Sequence, residues 1–309
     1  MALVSFLSRH AAWVLALGVF TGIVMPGAAS ALRPGLPLAV GGLLVLSVMQ
    51  ADYPEFRRQL RRPAVPATAA VFILCALPLL TWVLLPAFGV PESLRTPIVL
   101  MAAAPPIMSA PAMALLLRLN VPLMLAIVVP ATIAAPFTLG AVAEAFVASG
   151  LRMDPVNLAF RLATFIIGCF LVGAILRRLL GAVRIEKQKP LLDVIGLVFF
   201  LTFAVAVMDG VGARLEQQTL YVTSVLALSF LVHLLLQMAG GAAFYFTGMH
   251  SAFTIAFACG NRNMGLLLAV LPQGAAPDTL LFLAVAQIPI YTLPAILLPM
   301  YNALLNRGG

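Results

Sequence analysis

Charge is what this sequence has least of. Asp, Glu, Lys and Arg together make up 9% of its 309 residues. A soluble domain needs about a quarter of its residues charged to cover its surface, so water cannot be the main solvent of this one. Cysteine is scarce as well. Cys75, Cys169 and Cys259 lie far apart in apolar segments, a pattern with neither a disulfide framework nor a metal motif. The HExxH and GxSxG motifs and paired carboxylates within apolar segments are also missing. Enzyme chemistry is therefore not expected, and neither is a cofactor or a metal site.

Long apolar runs fill the space that charge leaves. Hydrophobic residues make up 63% of the chain, and the mean hydropathy is +1.10. Runs such as Ala64 to Ala87 and Leu220 to Phe246 exceed the about 20 residues with which a helix crosses a bilayer. They are continuous rather than alternating, which argues against barrel strands. The first run, Ala11 to Ala29, ends in a Met-Pro-Gly turn. It reads as a first span rather than as a cleavable signal.

Ten spans are expected, with cores at 11–30, 36–52, 64–87, 96–118, 121–148, 158–180, 190–209, 219–246, 250–272 and 279–304. The fold class is an all-α polytopic membrane protein. Short connections leave no room for a soluble domain, and the lipid bilayer is the first partner. A net charge of +8 would suggest nucleic acid in a soluble protein. Here the basic residues sit in short loops and act as topology signals, so no nucleic acid is expected.

Those loops set the orientation. With the N-terminus in the cytoplasm, the inner segments hold Arg9, the Arg57/Arg58/Arg61/Arg62 cluster, Arg118, the Arg177/Arg178/Arg184/Lys187/Lys189 cluster and Arg307. The outer segments hold Arg33, Arg95, Arg152, Arg161 and Arg214. Twelve against five favours both termini inside, as in a bacterial inner membrane. A division near residue 155 gives two five-span halves, 1–154 and 155–309. An odd number of spans per half inverts one half relative to the other, and such repeats place a transporter's site between them.

The fourth member of each half is abnormal. Span four reads Ala104-Pro105-Pro106-Ile107-Met108-Ser109-Ala110-Pro111. Its three prolines remove three backbone donors and exclude a continuous helix. Span nine reads Cys259-Gly260-Asn261-Arg262-Asn263-Met264-Gly265. There two glycines bracket two amides and a guanidinium, and Asn can satisfy freed backbone groups. Breaks at matching places in two halves point to a binding site; the plainer alternative is a pair of packing kinks.

Arg262 is the most informative residue. A charge at mid-membrane costs at least about 2.5 kcal/mol. Its acidic candidates, Asp52, Glu144, Asp193 and Asp209, lie near span ends, so carbonyls freed by the break in span four are the expected partners. Arg262 can both hold the crossing together and favour an anion. The candidate substrate-binding residues are Arg262, Asn261, Asn263, Gly260, Ser109, Pro105, Pro106, Pro111 and Thr132. His233 and Gln237, one turn apart, read as an interhelical contact more readily than as a proton relay. Gln287 reads as lining or packing. Gly240-Gly241-Ala242-Ala243 and Gly41-Gly42 read as close helix packing, and Trp13 and Trp82 as packing or interfacial residues.

Four stretches resemble the bile acid:sodium symporter family. They are the basic run Asp-Tyr-Pro-Glu-Phe-Arg-Arg-Gln-Leu-Arg-Arg-Pro (52–63), Gly-Ile-Val-Met-Pro (22–26), Ala104 to Pro136, and Gly260 to Leu266. The resemblance implies ten spans, two broken helices that cross, and a panel moving against a core for alternating access. It also implies where sodium ligands belong, and there the chain departs. The family's glutamate falls on Ala258 and its glutamine on Arg262. Its Ser-Asn pair falls on Ala110 and Pro111, and its span-three glutamine near Ile73. The span-five hydroxyl positions fall on Val128 and Ala131, with only Thr132 kept.

A hard cation needs several oxygen ligands, and Arg262 would repel one nearby. The expectation is a sodium-independent transporter of a small organic anion, moving it by exchange, facilitated diffusion or proton-linked transport. The alternatives are a sodium-coupled symporter with a rearranged ion site and a non-transporting sensor. An arsenite exporter is disfavoured because span four lacks cysteine, and an auxin-efflux-like carrier rests on architecture alone. Oligomeric state is left open.

Overall fold

The computed structural model describes residues 11–51, 54, 63–147, 154–271 and 275–305. The Arg57/Arg58/Arg61/Arg62 cluster lies outside the described residues, as do Arg9, Asp52, Arg152 and Arg307. The described residues are almost all helical. Among the described residues there is no strand, and the one β-type pairing is an isolated bridge between Pro106 and Arg262.

In chain order the helices are α1 (Ala11–Val24), α2 (Pro26–Leu32), α3 (Leu36–Gln50), α4 (Ala64–Val71), α5 (Leu77–Ala87), α6 (Glu92–Ala103), α7 (Ala110–Leu116), α8 (Val121–Val142), α9 (Pro155–Leu180), α10 (Ala182–Lys187), α11 (Lys189–Ala206), α12 (Val211–Gln217), α13 (Thr219–Ala243), α14 (Met249–Gly260), α15 (Met264–Val270), α16 (Pro277–Val285) and α17 (Gln287–Leu305). A π-turn, Phe72–Ala76, joins α4 to α5 without ending the span.

Among the described residues, seven stretches are long and apolar enough to cross a membrane: Pro26–Gln50, Ala64–Ala87, Val121–Phe146, Pro155–Leu180, Lys189–Gln217, Thr219–Ala243 and Pro277–Tyr301. The three remaining expected spans appear as shorter helices. Spans four and nine are α6 with α7 and α14 with α15. The first span ends at Val24, and Met25 separates it from α2. Helix then resumes at Pro26, a residue suited to a first turn because its missing N–H is unpaired there anyway. It runs through a 3-10 turn, Arg33–Gly35, into α3. The break thus falls at residue 25, earlier than the 30–36 gap in the expected cores.

The outer faces are what lipid requires. Phe160, Ile167, Leu171, Ile175 and Leu179 on α9 are all exposed, a continuous apolar stripe that water would not tolerate. Small residues allow close approach elsewhere. Gly41 meets Phe165, Gly42 meets Phe199, and Gly240 meets Cys259. α3 packs on α9 and α11, and α11 packs on α1. α6 packs on α5 and α16, while α14 packs on α13 and α8. Each interrupted span therefore rests on the span before it and on one distant in sequence, α16 for α6 and α8 for α14.

Candidate functional site

The two interruptions meet. α6 stops at Ala103 because Pro105 and Pro106 have no N–H to continue the ladder. The first donor after them, Ile107 N, bonds to Asn261 O at 2.8 Å. In return Asn263 N donates to Pro105 O at 2.8 Å. These bonds flank the Pro106–Arg262 bridge, so each broken strand of backbone satisfies the other where no water reaches. Pro111 belongs to the restart rather than the break. It lies in the first turn of α7, where proline is compatible with helix.

The amides do what the sequence suggested for freed backbone. Asn261 Nδ2 donates to Phe257 O at 2.9 Å, and Asn263 Oδ1 accepts from Leu266 N at 3.3 Å, capping α15. Gly260 closes α14 against α13, where a β-carbon would run into Gln237. Gln237 Oε1 in turn accepts from Tyr301 at 3.1 Å. That contact joins three spans, and only the polar character of Gln237 hinted at it.

Arg262 is 0% exposed and is the largest of the fully buried side chains. Its Nη1 donates to Ala104 O at 3.0 Å and to Ile73 O at 3.4 Å. The Ala104 carbonyl is the freed acceptor expected at the break in span four. The Ile73 carbonyl was not anticipated, and its availability has a local cause. In an α-helix it would accept from Leu77 N, but in the π-turn Leu77 N donates to Phe72 O. A π-type partner for Ile73 would be residue 78, which is proline and has no donor. Pro78 accounts for the missing donor only once the π-turn is known.

No described acidic residue pairs with Arg262; the described ion pairs are Arg33–Asp209, Lys189–Glu186 and Arg214–Asp278. Its Nε and Nη2 have no hydrogen-bond partner among the described residues, and neither does Ser109 Oγ. Thr132 Oγ1 donates to Val128 O at 2.8 Å and also lies 3.5 Å from Met108 Sδ. Ala110, Val128, Ala131 and Ala258 are 0% exposed and have no side-chain oxygen. His233, also buried, contacts Ser229 O through Nδ1 at 2.6 Å.

A separate cavity of about 420 Å³ lies at the end of the bundle that carries Arg33, Arg161 and Arg214. The orientation reading sets these three on the same side of the membrane, but nothing in the sequence gathers them around one cavity. α15 leads from the Arg262 crossing to this cavity, whose wall includes Leu268 and Leu271.

No match was found among curated proteins. The model of the Sodium Bile acid symporter family matches residues 37–218. That stretch holds the whole of the first interrupted span and well over half of the chain. With apolar helices long enough to cross a membrane and two backbone breaks that pair with one another, the chain belongs to the Sodium Bile acid symporter family and is an integral, multi-pass membrane protein.

Proposed function

We propose that the chain is a sodium-independent transporter of small organic anions, working by alternating access with Arg262 as a tethered cation. Its spans number ten, in inverted halves 1–154 and 155–309, with both termini cytoplasmic. The reciprocal packing of the two interrupted spans supports the inverted repeat.

One observation carries the reading. The Arg262 guanidinium bonds to the carbonyls of Ala104 and Ile73 at the crossing. Family resemblance sets the sodium ligands around these same segments. A guanidinium supplies the positive charge that a metal would, and it donates to the acceptors a metal would use. Ala110, Val128, Ala131 and Ala258, on which the resemblance sets ligand positions, are the side chains to expect where no ion must be coordinated. Asn261, Asn263, Gly260, Pro105, Pro106, Pro111, Ser109 and Thr132 form the frame in which the substrate's acid group meets that charge during the cycle.

The test is uptake of labelled organic acids, cholate among them, into sodium-free proteoliposomes. Uptake that proceeds without sodium and does not rise when sodium is added supports the proposal. Strict sodium dependence overturns sodium independence. Saturable binding with no flux across sealed vesicles would instead make the protein a sensor.

A further inference from the structure

His233 is a buried ionisable side chain to which the crossing gives no role. It is 0% exposed, and its Nδ1 lies 2.6 Å from Ser229 O. A carbonyl only accepts, so Nδ1 carries the ring proton and Nε2 presents a lone pair. Nε2 has no hydrogen-bond partner among the described residues. The interhelical contact expected of His233 and Gln237 is made by Gln237, which accepts from Tyr301. An ionisable group within a span, with one ring nitrogen open, calls for a use.

Its place on α13 sets it beside the break in span nine. α13 and α14 pack as an antiparallel pair. Gly240 faces Ala256 and Cys259, and one turn earlier Gln237 faces Gly260. His233, a further turn back, falls opposite the residues that follow Gly260, where Arg262 keeps Nε and Nη2 unpartnered. The other elements that pack on α13 are mainly α12, α16, α17 and the turn Tyr245–Thr247. Of their charged groups, Arg214 and Asp278 pair with each other and Glu216 is exposed. Of the remaining titratable groups on these elements and on α14, Cys259, Tyr291 and Tyr301 are buried, while His250 and Tyr245 are exposed. Among the described residues, Arg262 is the charge that acts on His233.

We infer that His233 is the proton-accepting partner of Arg262, so that each organic anion crosses together with one proton. The inference rests on the reading of the chain as an anion transporter and supplies the coupling which that reading leaves open. The acid group of the substrate seats on Nε and Nη2 of Arg262, and His233 Nε2 takes one proton from water on the entry side. The lone pair of Nε2 becomes an N–H bond, which donates to the same acid group. On the exit side the anion leaves and the proton returns to water. No electron moves, and the net transfer of one anion with one proton is electrically neutral. Either ligand alone is disfavoured. A proton without the anion sets a second positive charge beside Arg262 where neither is hydrated. An anion without the proton faces the lone pair of Nε2, acceptor against acceptor. Each therefore strengthens the binding of the other by the same factor.

The experiment follows labelled 2-naphthalenesulfonate, an acid that stays ionised throughout, into sodium-free proteoliposomes of the full-length protein that enclose a pH dye. Potassium and valinomycin clamp the membrane potential. In the native protein about one proton should enter with each sulfonate, and an inside-alkaline gradient of about one pH unit should hold the anion about tenfold above its outside level. His233→Gln sets an amide near the place of Nε2 that cannot gain a proton. Its ratio of protons to anions should fall to near zero, a readout independent of how much protein is active. Where its flux is too small for a ratio, equilibrium binding of the same sulfonate is compared at about pH 6 and about pH 8. Native affinity should fall several-fold as pH rises, and that of the variant should not. His233→Asn replaces the glutamine variant if the latter lacks native melting. Native flux without proton entry overturns the inference and leaves the transport reading standing. So does a native ratio in His233→Gln, or a native affinity equal at the two pH values. Neither flux nor saturable binding, for the sulfonate and for cholate alike, would overturn the transport reading and this inference with it.

Discussion

Gly260 and Gln237 are in contact so close that no side chain fits between them. A β-carbon on Gly260 would stand 2.8 Å from Gln237 Cδ and nearer still to Cγ. Gln237 cannot swing away freely, because its Oε1 accepts from Tyr301 on α17. Gly260→Ala should therefore overpack this corner, lowering stability by about 1–3 kcal/mol. Truncating the neighbour, as Gln237→Ala, should recover most of the loss in the double variant, measured as melting temperature in detergent. Additive losses would mean that the two residues do not oppose each other.

Arg262→Ala leaves the carbonyls of Ala104 and Ile73 without their donor and opens a void at the largest fully buried side chain. Loss of such a buried partner costs about 2–5 kcal/mol, so yield and melting temperature should fall along with anion uptake. Arg262→Lys keeps the charge but loses the planar fork. It should regain part of the uptake if charge is what matters. Native uptake and native stability in Arg262→Ala would take the residue out of the mechanism.

Much of this crossing was legible before any coordinates. Pro105 and Pro106 in span four and Gly260 beside Arg262 in span nine mark the breaks by removing donors and relaxing helix, which are local effects. That Arg262 would turn to freed carbonyls followed from the shortage of acids within the spans. The Ile73 acceptor was not legible, since it depends on a π-turn whose register a helical period does not reveal. The arginine cavity was hidden for another reason. Arg33, Arg161 and Arg214 are far apart in sequence, and only tertiary packing gathers them. The first break lies at the Met25-Pro26-Gly27 turn that the sequence shows, while the expected core runs past it to the Pro34–Gly35 signal because Pro26 can also open a helix.

Thr132 is the sole hydroxyl kept where resemblance sets the family's ion ligands. It already donates to Val128 O in its own helix, as a threonine does in many apolar helices. Thr132→Ala should therefore leave uptake as insensitive to sodium as in the native protein, with a stability loss of about 1 kcal/mol. Neither the native protein nor the variant should gain melting temperature on adding sodium chloride over an equal concentration of potassium chloride. A sodium-specific gain in the native protein that Thr132→Ala abolishes would show a working ion site at this position.

Pro78 tests whether the Ile73 carbonyl matters. Proline at this place denies Ile73 a donor from residue 78, and the π-turn diverts Leu77 N to Phe72. Pro78→Ala supplies a new N–H one turn beyond Ile73. That N–H can donate to Ile73 O or draw the turn back to α geometry, in which Leu77 N takes the same acceptor. Either way Arg262 loses the weaker of its two acceptors, the one at 3.4 Å, and keeps Ala104 at 3.0 Å. Span three gains a backbone bond, so melting temperature should hold or rise. Uptake should fall several-fold, because a guanidinium tied only to the break in span four no longer links it to span three. This pattern differs from that of Arg262→Ala, in which stability and uptake fall together. Native uptake in Pro78→Ala, with amide exchange showing Leu77 still protected, would mean that the Ile73 contact is incidental and that Ala104 alone anchors the charge.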